Sequence, residues 1–283
     1  MTSKPLPPYL RPLFRGRNPD RYRLATDLPA GRTVLSDEGD GEIHALWCSD
    51  GPTTAEAVAS LREEYPRSGL WPLLLDAHDA QDPDYRPWGT GELFPEDVTS
   101  PADHQPAALL ASWWHDYTHV DEDDDNLTPE QRLAVTAPFG RTWPGLARSG
   151  DQRCDPDQLA GAYSAELLTR RPWLRLGLVA AGSGAAALTT AGWQGPVNYA
   201  SDTAKFSAVL HDWEHRFGAR VVGVGFSTLS LSVAAPPGDR ATALAVAAEH
   251  FAFCPDNIWQ SAGTLTAYAD QLVDSHEWGF WWD

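Results

Sequence analysis

The chain has 283 residues, of which 42% are hydrophobic and 21% charged, enough for one large core or two smaller ones. Its formal net charge of −18 speaks against nucleic acid or an anionic membrane as a partner, because neutralising phosphates takes Lys and Arg. Cys48, Cys154 and Cys254 are odd in number, far apart and without a C-x-x-C pair, which suits free thiols in a reducing compartment and excludes a disulfide framework. There is no signal-peptide pattern and no apolar run long enough to span a bilayer, so a cytoplasmic location is the expectation.

The charge is unevenly placed. Residues 1–35 carry seven Lys/Arg against two acids, whereas residues 76–130 carry Arg86 alone against fifteen acids. The other outlying number is 13 Trp against one Met. Each indole combines a large apolar area with an N–H that needs a partner when buried, so such a chain builds specific packing.

In chain order, residues 1–23 read as a proline-studded irregular arm. Strands are predicted near 33–35 and 42–47, flanking the turn Asp37-Glu38-Gly39-Asp40-Gly41. Thr53 or Thr54 caps a helix to about Tyr65, stopped by Pro66. The apolar run 70–76 reads as a buried strand, 78–101 as acidic loop and 106–119 as helix. Asp121, Asp123 and Asp125 fit three positions of a calcium loop. However, Asn126 stands where the sharp turn needs Gly, and Arg132 where a bidentate Glu belongs; the run reads as a solvated acidic loop. Three Pro and three Gly over 138–157 predict a linker between residues 1–137 and 158–283.

Beyond it, 174–180 is a strand and 184–191 a short helix ended by Gly192. Asp202 caps a helix to Phe217 with Gly218 as its stop. Strands follow at 219–226 and 229–233, the second alternating Leu/Ser as a sheet with one wet face does. Asp239 starts a helix to Phe253, ended by Pro255; a last helix covers 264–276, and the aromatic tail adds an edge strand. The fold class is therefore α+β or α/β: two mixed sheet-and-helix halves, the C-terminal one a small sheet packed by helices.

Several motifs carry chemistry. His211-Asp212-Trp213-Glu214-His215 matches the inverted zinc-peptidase pattern, H-x-x-E-H. At ~100° per residue, though, both histidines project away from the apolar stripe of Phe206, Val209, Leu210, Trp213 and Phe217, with Glu214 on its flank. His115 and His119 likewise oppose the buried side of their helix. Gly182-Ser183-Gly184-Ala185-Ala186-Ala187 resembles a dinucleotide fingerprint, but its helix is about two turns and no strand intervenes between that helix and Asp202. It reads as a tight strand-to-helix turn. No metal site or cofactor is indicated.

Glu249 stands on a helix that is apolar all round, with Leu244, Ala247, Ala248 and Phe251 on one side and Val246 and Phe253 on the other. A helix of that kind is buried, and a buried carboxylate needs a partner; Arg216 and Arg220 are the candidates. His250, Cys254 and Asp256 lie close by.

These residues resemble a family. The C-terminal part is similar to the bacterial domain of unknown function 4253 through Trp213-Glu214-x-Arg216-Phe217-Gly218-Ala219, Pro236-Pro237, Ala248-Glu249-His250-x-Ala252-Phe253-Cys254-Pro255-Asp256 and Trp281-Trp282-Asp283. Gly69-Leu70-Trp71-Pro72, Arg86-Pro87-Trp88 and Trp143-Pro144-Gly145-Leu146 resemble its longer actinobacterial members. The resemblance implies a soluble bacterial α/β or α+β domain, brings no established activity, and does not include His211, His215, Gly182 or Gly184.

The functional expectation is a non-catalytic binding module. Trp213, Glu214, Arg216, Arg220, Glu249, His250, Cys254, Asp256 and Trp282 form its structural and ligand-contacting centre. The acidic segment 76–130 faces a basic protein, as in an antitoxin or immunity-type inhibitor. Two alternatives stand beside it. One is a metal-assisted hydrolase using His211, Glu214 and His215, or an acid centre at Glu249. The other is a purely structural or oligomerising domain.

Overall fold

The computed structural model describes residues 4–119 and 128–283. The acidic run Asp121–Asp125 and its neighbour Asn126 lie outside the described residues.

The arm contributes short strands β1 (Lys4–Pro5) and β2 (Arg23–Leu24), paired antiparallel. Between them Leu6, Leu10, Leu13 and Phe14 are buried, so the arm packs as part of the core. Strands β3 (Gly31–Leu35) and β4 (His44–Pro52) form a hairpin, followed by α1 (Ala55–Ser68) and β5 (Leu70–Leu75). Thr54 caps α1 by accepting the Ala57 N–H. Pro66 does not stop this helix, as expected from sequence; it runs to Ser68 and ends at Gly69, whose φ of +64° supplies the left-handed turn. A proline in the last turn removes one backbone donor only, and Gly provides the termination.

Helices α2 (Pro106–Thr118), α3 (Pro129–Val135) and α4 (Pro156–Arg170) come next. Then follow β6 (Arg175–Ala180), α5 (Gly184–Ala191) and α6 (Ala204–Phe217), and the strands β7 (Ala219–Val224) and β8 (Thr228–Val233). The chain closes with α7 (Arg240–Phe253), a π-helical segment Asn257–Ala262, α8 (Leu265–Leu272) and β9 (Glu277–Trp281). Asp239 and Thr264 cap α7 and α8 as their sequence positions predict.

The fold is mixed α and β, but the expected pair of sheet-bearing halves is corrected. Seven strands form one sheet in the order β3-β4-β6-β5-β7-β8-β9. Strand β6 enters between β4 and β5, and β5 separates β6 from β7; only β5 and β7 are parallel. The segment expected as a linker is tied down, with the Gly150 N–H on the Arg216 carbonyl and the Arg153 N–H on the Ala234 carbonyl. The physical reason lies in β5. Trp71, Leu73 and Leu75 enter the core on one face, with α2 and α5 to α8; Leu70 and Leu74 enter the other, with α1, α4 and the arm. A strand apolar on both faces belongs at a sheet centre. Pro72 is tolerated there because β5 meets β7 only through Leu74 and Leu75. Where the ladder is missing, the Trp71 indole N–H donates to the Val221 carbonyl at 3.3 Å.

A fragment of residues 158–283 therefore lacks the strand that joins β6 to β7. It is expected to show no cooperative thermal transition in near-UV circular dichroism, while the full chain shows one; a sharp transition in the fragment would contradict the interleaved sheet.

Candidate functional site

Glu249 on α7 is fully buried. Its Oε1 accepts the Ala147 N–H at 2.7 Å and Arg216 Nη1–H at 3.0 Å. Its Oε2 accepts the Trp213 indole N–H at 2.7 Å and Arg216 Nη2–H at 2.5 Å. Trp213 and Arg216 are three residues apart on α6, so they reach α7 from one helix face. The guanidinium also donates Nε–H to Asp212 at 2.7 Å and Nη1–H to the Ala147 carbonyl at 3.0 Å, and lies 4.7 Å from the Phe217 ring. Burial works to lower the Arg216 pKa, yet hydrogen bonds to and charges on Glu249 and Asp212 outweigh it, and the group is held above its ordinary value. Of the two candidate partners, Arg216 is the one that meets Glu249.

Chemically this is a clamp. Both carboxylate oxygens carry two donors, the Glu249 carboxylate is fully buried, and three chain segments are joined at one point. A buried pair of this kind is costly to break, about 3–5 kcal/mol, because the remaining charge is stranded.

His250 packs in the same core, with ring centroids 5.0 Å from Trp213, 4.5 Å from Trp278 and 4.8 Å from Phe280. Its Nδ1 is 3.1 Å from the Tyr268 hydroxyl, which also accepts Asn257 Nδ2–H at 3.0 Å. Burial first, and the Arg216 charge second, push its pKa down to about 3; the imidazole is neutral.

Cys254, Asp256 and Trp282 form a neighbouring group at the end of α7. The buried Cys254 thiol donates to the Trp281 carbonyl at 2.9 Å, and burial pushes its pKa up, so no thiolate is available as a nucleophile. Asp256 accepts from the Tyr199 hydroxyl at 2.7 Å and Gln260 Nε2–H at 2.9 Å. The Trp282 indole N–H reaches the Phe253 carbonyl at 3.4 Å.

Two expected members sit elsewhere. Glu214 accepts the Ala185 N–H at 3.0 Å, closing the N-terminus of α5, and also meets His211 Nδ1 at 3.0 Å. Arg220 pairs with Asp157 at 2.8 Å. Strand alternation explains it: Ala219 and Val221 enter the core beside α6, while Val222 enters the α4 side, and Arg220 shares that second face. His211 and His215 are exposed, as are His115 and His119. Among the described residues, no group of three or more His, Cys, Asp or Glu is arranged to hold a metal ion.

Sequence reasoning missed the Ala147 backbone, Asp212, Tyr268 and Asn257. A backbone donor carries no sequence signal. Asp212, four residues before Arg216, was readable as an i,i+4 pair.

The acidic residues of two segments meet on the surface. The β3–β4 turn is joined to the loop after β5 by the Glu38 N–H on the Gly91 carbonyl at 3.2 Å and the Asp40 N–H on the Leu93 carbonyl at 3.4 Å. The Glu96 N–H bonds the Asp40 carboxylate. Gly91 is required at this seam: with φ of +70°, a Cβ would stand 2.1 Å from the Leu35 carbonyl oxygen. Asp37, Glu38, Glu42, Asp79, Asp84, Glu96 and Asp97 are exposed around it. Arg86 lies within the second loop, but its fork is spent on Glu92 at 2.5 and 2.8 Å.

Residues 175–283 match the model of a family described as a domain of unknown function (DUF4253). No curated protein and no solved structure matches the chain. No helix among the described residues is long and apolar enough to cross a membrane.

Two outcomes test the clamp. Glu249→Ala is expected to lower unfolding free energy in urea by about 3–5 kcal/mol, and the paired replacement Glu249→Leu with Arg216→Met to recover much of it; an Ala variant as stable as the parent would dismiss the clamp. For His250, the unfolded imidazole protonates near pH 6.5 and the folded one only near 3. The unfolded state thus binds more protons in that window, and stability falls as pH drops through it. Between pH 7 and 5 the parent is expected to lose about 2 kcal/mol more than His250→Gln, since one pKa unit is ~1.4 kcal/mol; parallel pH profiles would refute a neutral buried His250.

Proposed function

We propose that this chain, which matches the domain of unknown function (DUF4253) family over residues 175–283, is a non-catalytic binding module that presents an acidic face to a basic partner protein. An inhibitor of antitoxin or immunity type is the specific form this reading takes. The observation that carries it is the joining of two acidic segments, the β3–β4 turn and the loop after β5, into one surface through backbone hydrogen bonds. Acids spread over a surface serve solubility; acids of two loops fixed at a shared seam give a directed field that steers and orients a cationic partner.

The chemistry of the interior supports the non-catalytic half of the reading. Glu249 has both oxygens occupied and Cys254 has its thiol held protonated. The hydrolase alternative has less support, because Glu214 is engaged at the start of α5. An acid that activates water must be free to reach it.

The test replaces Asp79, Asp84, Glu96 and Asp97 by their amides in the immobilised full chain. Basic proteins captured by the parent at ~0.1 M salt, and released as salt rises to ~1 M and the Debye length shrinks, are expected to be lost by the variant. Capture that is the same for both proteins removes the acidic face from the function.

A further inference from the structure

We infer that a pocket at the carboxyl ends of β5 and β7 receives one arginine side chain of the basic partner. This rests on the proposed binding function and names the residue type by which the acidic face grips. The two strands are the parallel pair of the sheet, and they end in register at Leu75 and Val224. The segments that leave them, with the loop around Trp193 and the end of β9, enclose a cavity of about 280 Å³. Open sheets with parallel strands take ligands in this position. The volume lies just below the ~300–1,000 Å³ usual for small-molecule sites and suits a single long side chain.

The polar residues His78, Gln194, Asn198 and Ser227 line the cavity together with flat apolar walls. Trp193, Trp282, Phe226 and Pro87 supply the walls; Trp193 Nε1–H donates to the Gly225 carbonyl at 2.8 Å, the Trp282 indole N–H reaches the Phe253 carbonyl at 3.4 Å, and the Trp282 backbone N–H donates to the Ser227 carbonyl at 3.0 Å. Asp283 and Glu92 line the same cavity, Glu92 with its carboxylate held by Arg86, and the cavity adjoins the acidic loop after β5. Aromatic faces beside carboxylates recognise a guanidinium, the first through cation–π attraction and the second through the donor fork. The protein already shows this chemistry at one wall residue, Phe226. The guanidinium of Arg86 lies 4.7 Å from the Phe226 ring centroid while its fork holds Glu92. Arg86 is not itself among the residues lining the cavity. At the mouth stands Val197, 46% exposed, an apolar rim of the kind that shields a buried anchor from water.

The experiment uses the full ¹⁵N-labelled chain and follows indole N–H signals during titration with the capped peptide acetyl-Gly-Arg-Gly-amide. The control peptide replaces arginine by citrulline, equal in shape and uncharged. Val197→Arg places a cation at the mouth without touching the clamp. The arginine peptide is expected to shift the Trp193 and Trp282 signals, with citrulline roughly 30-fold weaker, the ratio of an arginine hot spot. Val197→Arg is expected to abolish the shifts at an unchanged melting temperature. Equal response to both peptides, or an undiminished titration in Val197→Arg, overturns the proposal. The two readings fail separately. Salt-sensitive capture lost on neutralising the acids, together with silent indole signals, sinks the pocket and leaves the acidic face. Capture indifferent to those acids sinks the basic partner, and with it the arginine it would insert.

Discussion

Packing α7 against α6 removes Glu249 from water altogether, and a carboxylate stripped of solvent persists only if the protein replaces every lost hydrogen bond. The replacement comes from three places: Trp213 and Arg216 on α6, and the Ala147 amide in the crossing between α3 and α4. The relative placement of these segments therefore has little freedom. A shift of α6 along its axis would strand Glu249, and a detached crossing would strip one donor from Oε1 and one acceptor from Arg216. The same charges govern their neighbour. Fully buried and with the Arg216 cation nearby, His250 stays neutral, which lets it pack among Trp213, Trp278 and Phe280 as an aromatic ring.

The clamp lies largely within the family segment, yet that segment does not close a sheet here without the upstream chain. Strand β5, from residues 70–75, lies between β6 and β7, and Ala147 belongs to the upstream part as well. The acidic seam is built from the upstream part in turn: the β3–β4 turn and the loop that leaves β5. One hydrophobic strand thus does two jobs. Its side chains bind the halves of the sheet together, and its carboxyl end delivers the acidic loop to the rim where β7 also ends.

Local structure was legible where one residue decides it. Helix α5 spans 184–191 and ends at Gly192 as expected, because a left-handed glycine acts within one turn. Burial of Glu249 followed from an apolar helix surface on all sides. Pairing between distant segments was not legible. The apolar run 70–75 announced a buried strand, but nothing in it specified β6 and β7 as neighbours, because ladder bonds are made by backbone groups common to all residues. The turn-forming residues of 138–157 suggested a domain boundary, and the segment is instead irregular chain held by backbone bonds to Arg216 and Ala234. Arg220 was misplaced for a related reason: its strand alternates, and one residue of register decides which face it serves.

The division between interior and surface bears on what kind of protein this is. The aromatic residues of the tail are consumed in packing: Trp278 and Phe280 close over Trp213, and Trp282 over Phe253 and Phe206. Asn257 among them is matched to Tyr268 and the Gly279 carbonyl, while His250 Nε2 and Trp278 Nε1 are buried without a hydrogen-bond partner. The centre around Glu249 is held rigid by this packing, and Trp282 at its edge also lines the cavity beside Trp193. The surface loops carry the opposite imbalance, an excess of carboxylates over cations held close by backbone bonds. Like charges kept together on a fixed scaffold repel one another and lower stability. Under the proposed function a cationic partner would relieve that repulsion on docking, so the unfavourable term in the free protein would become part of the driving force for association.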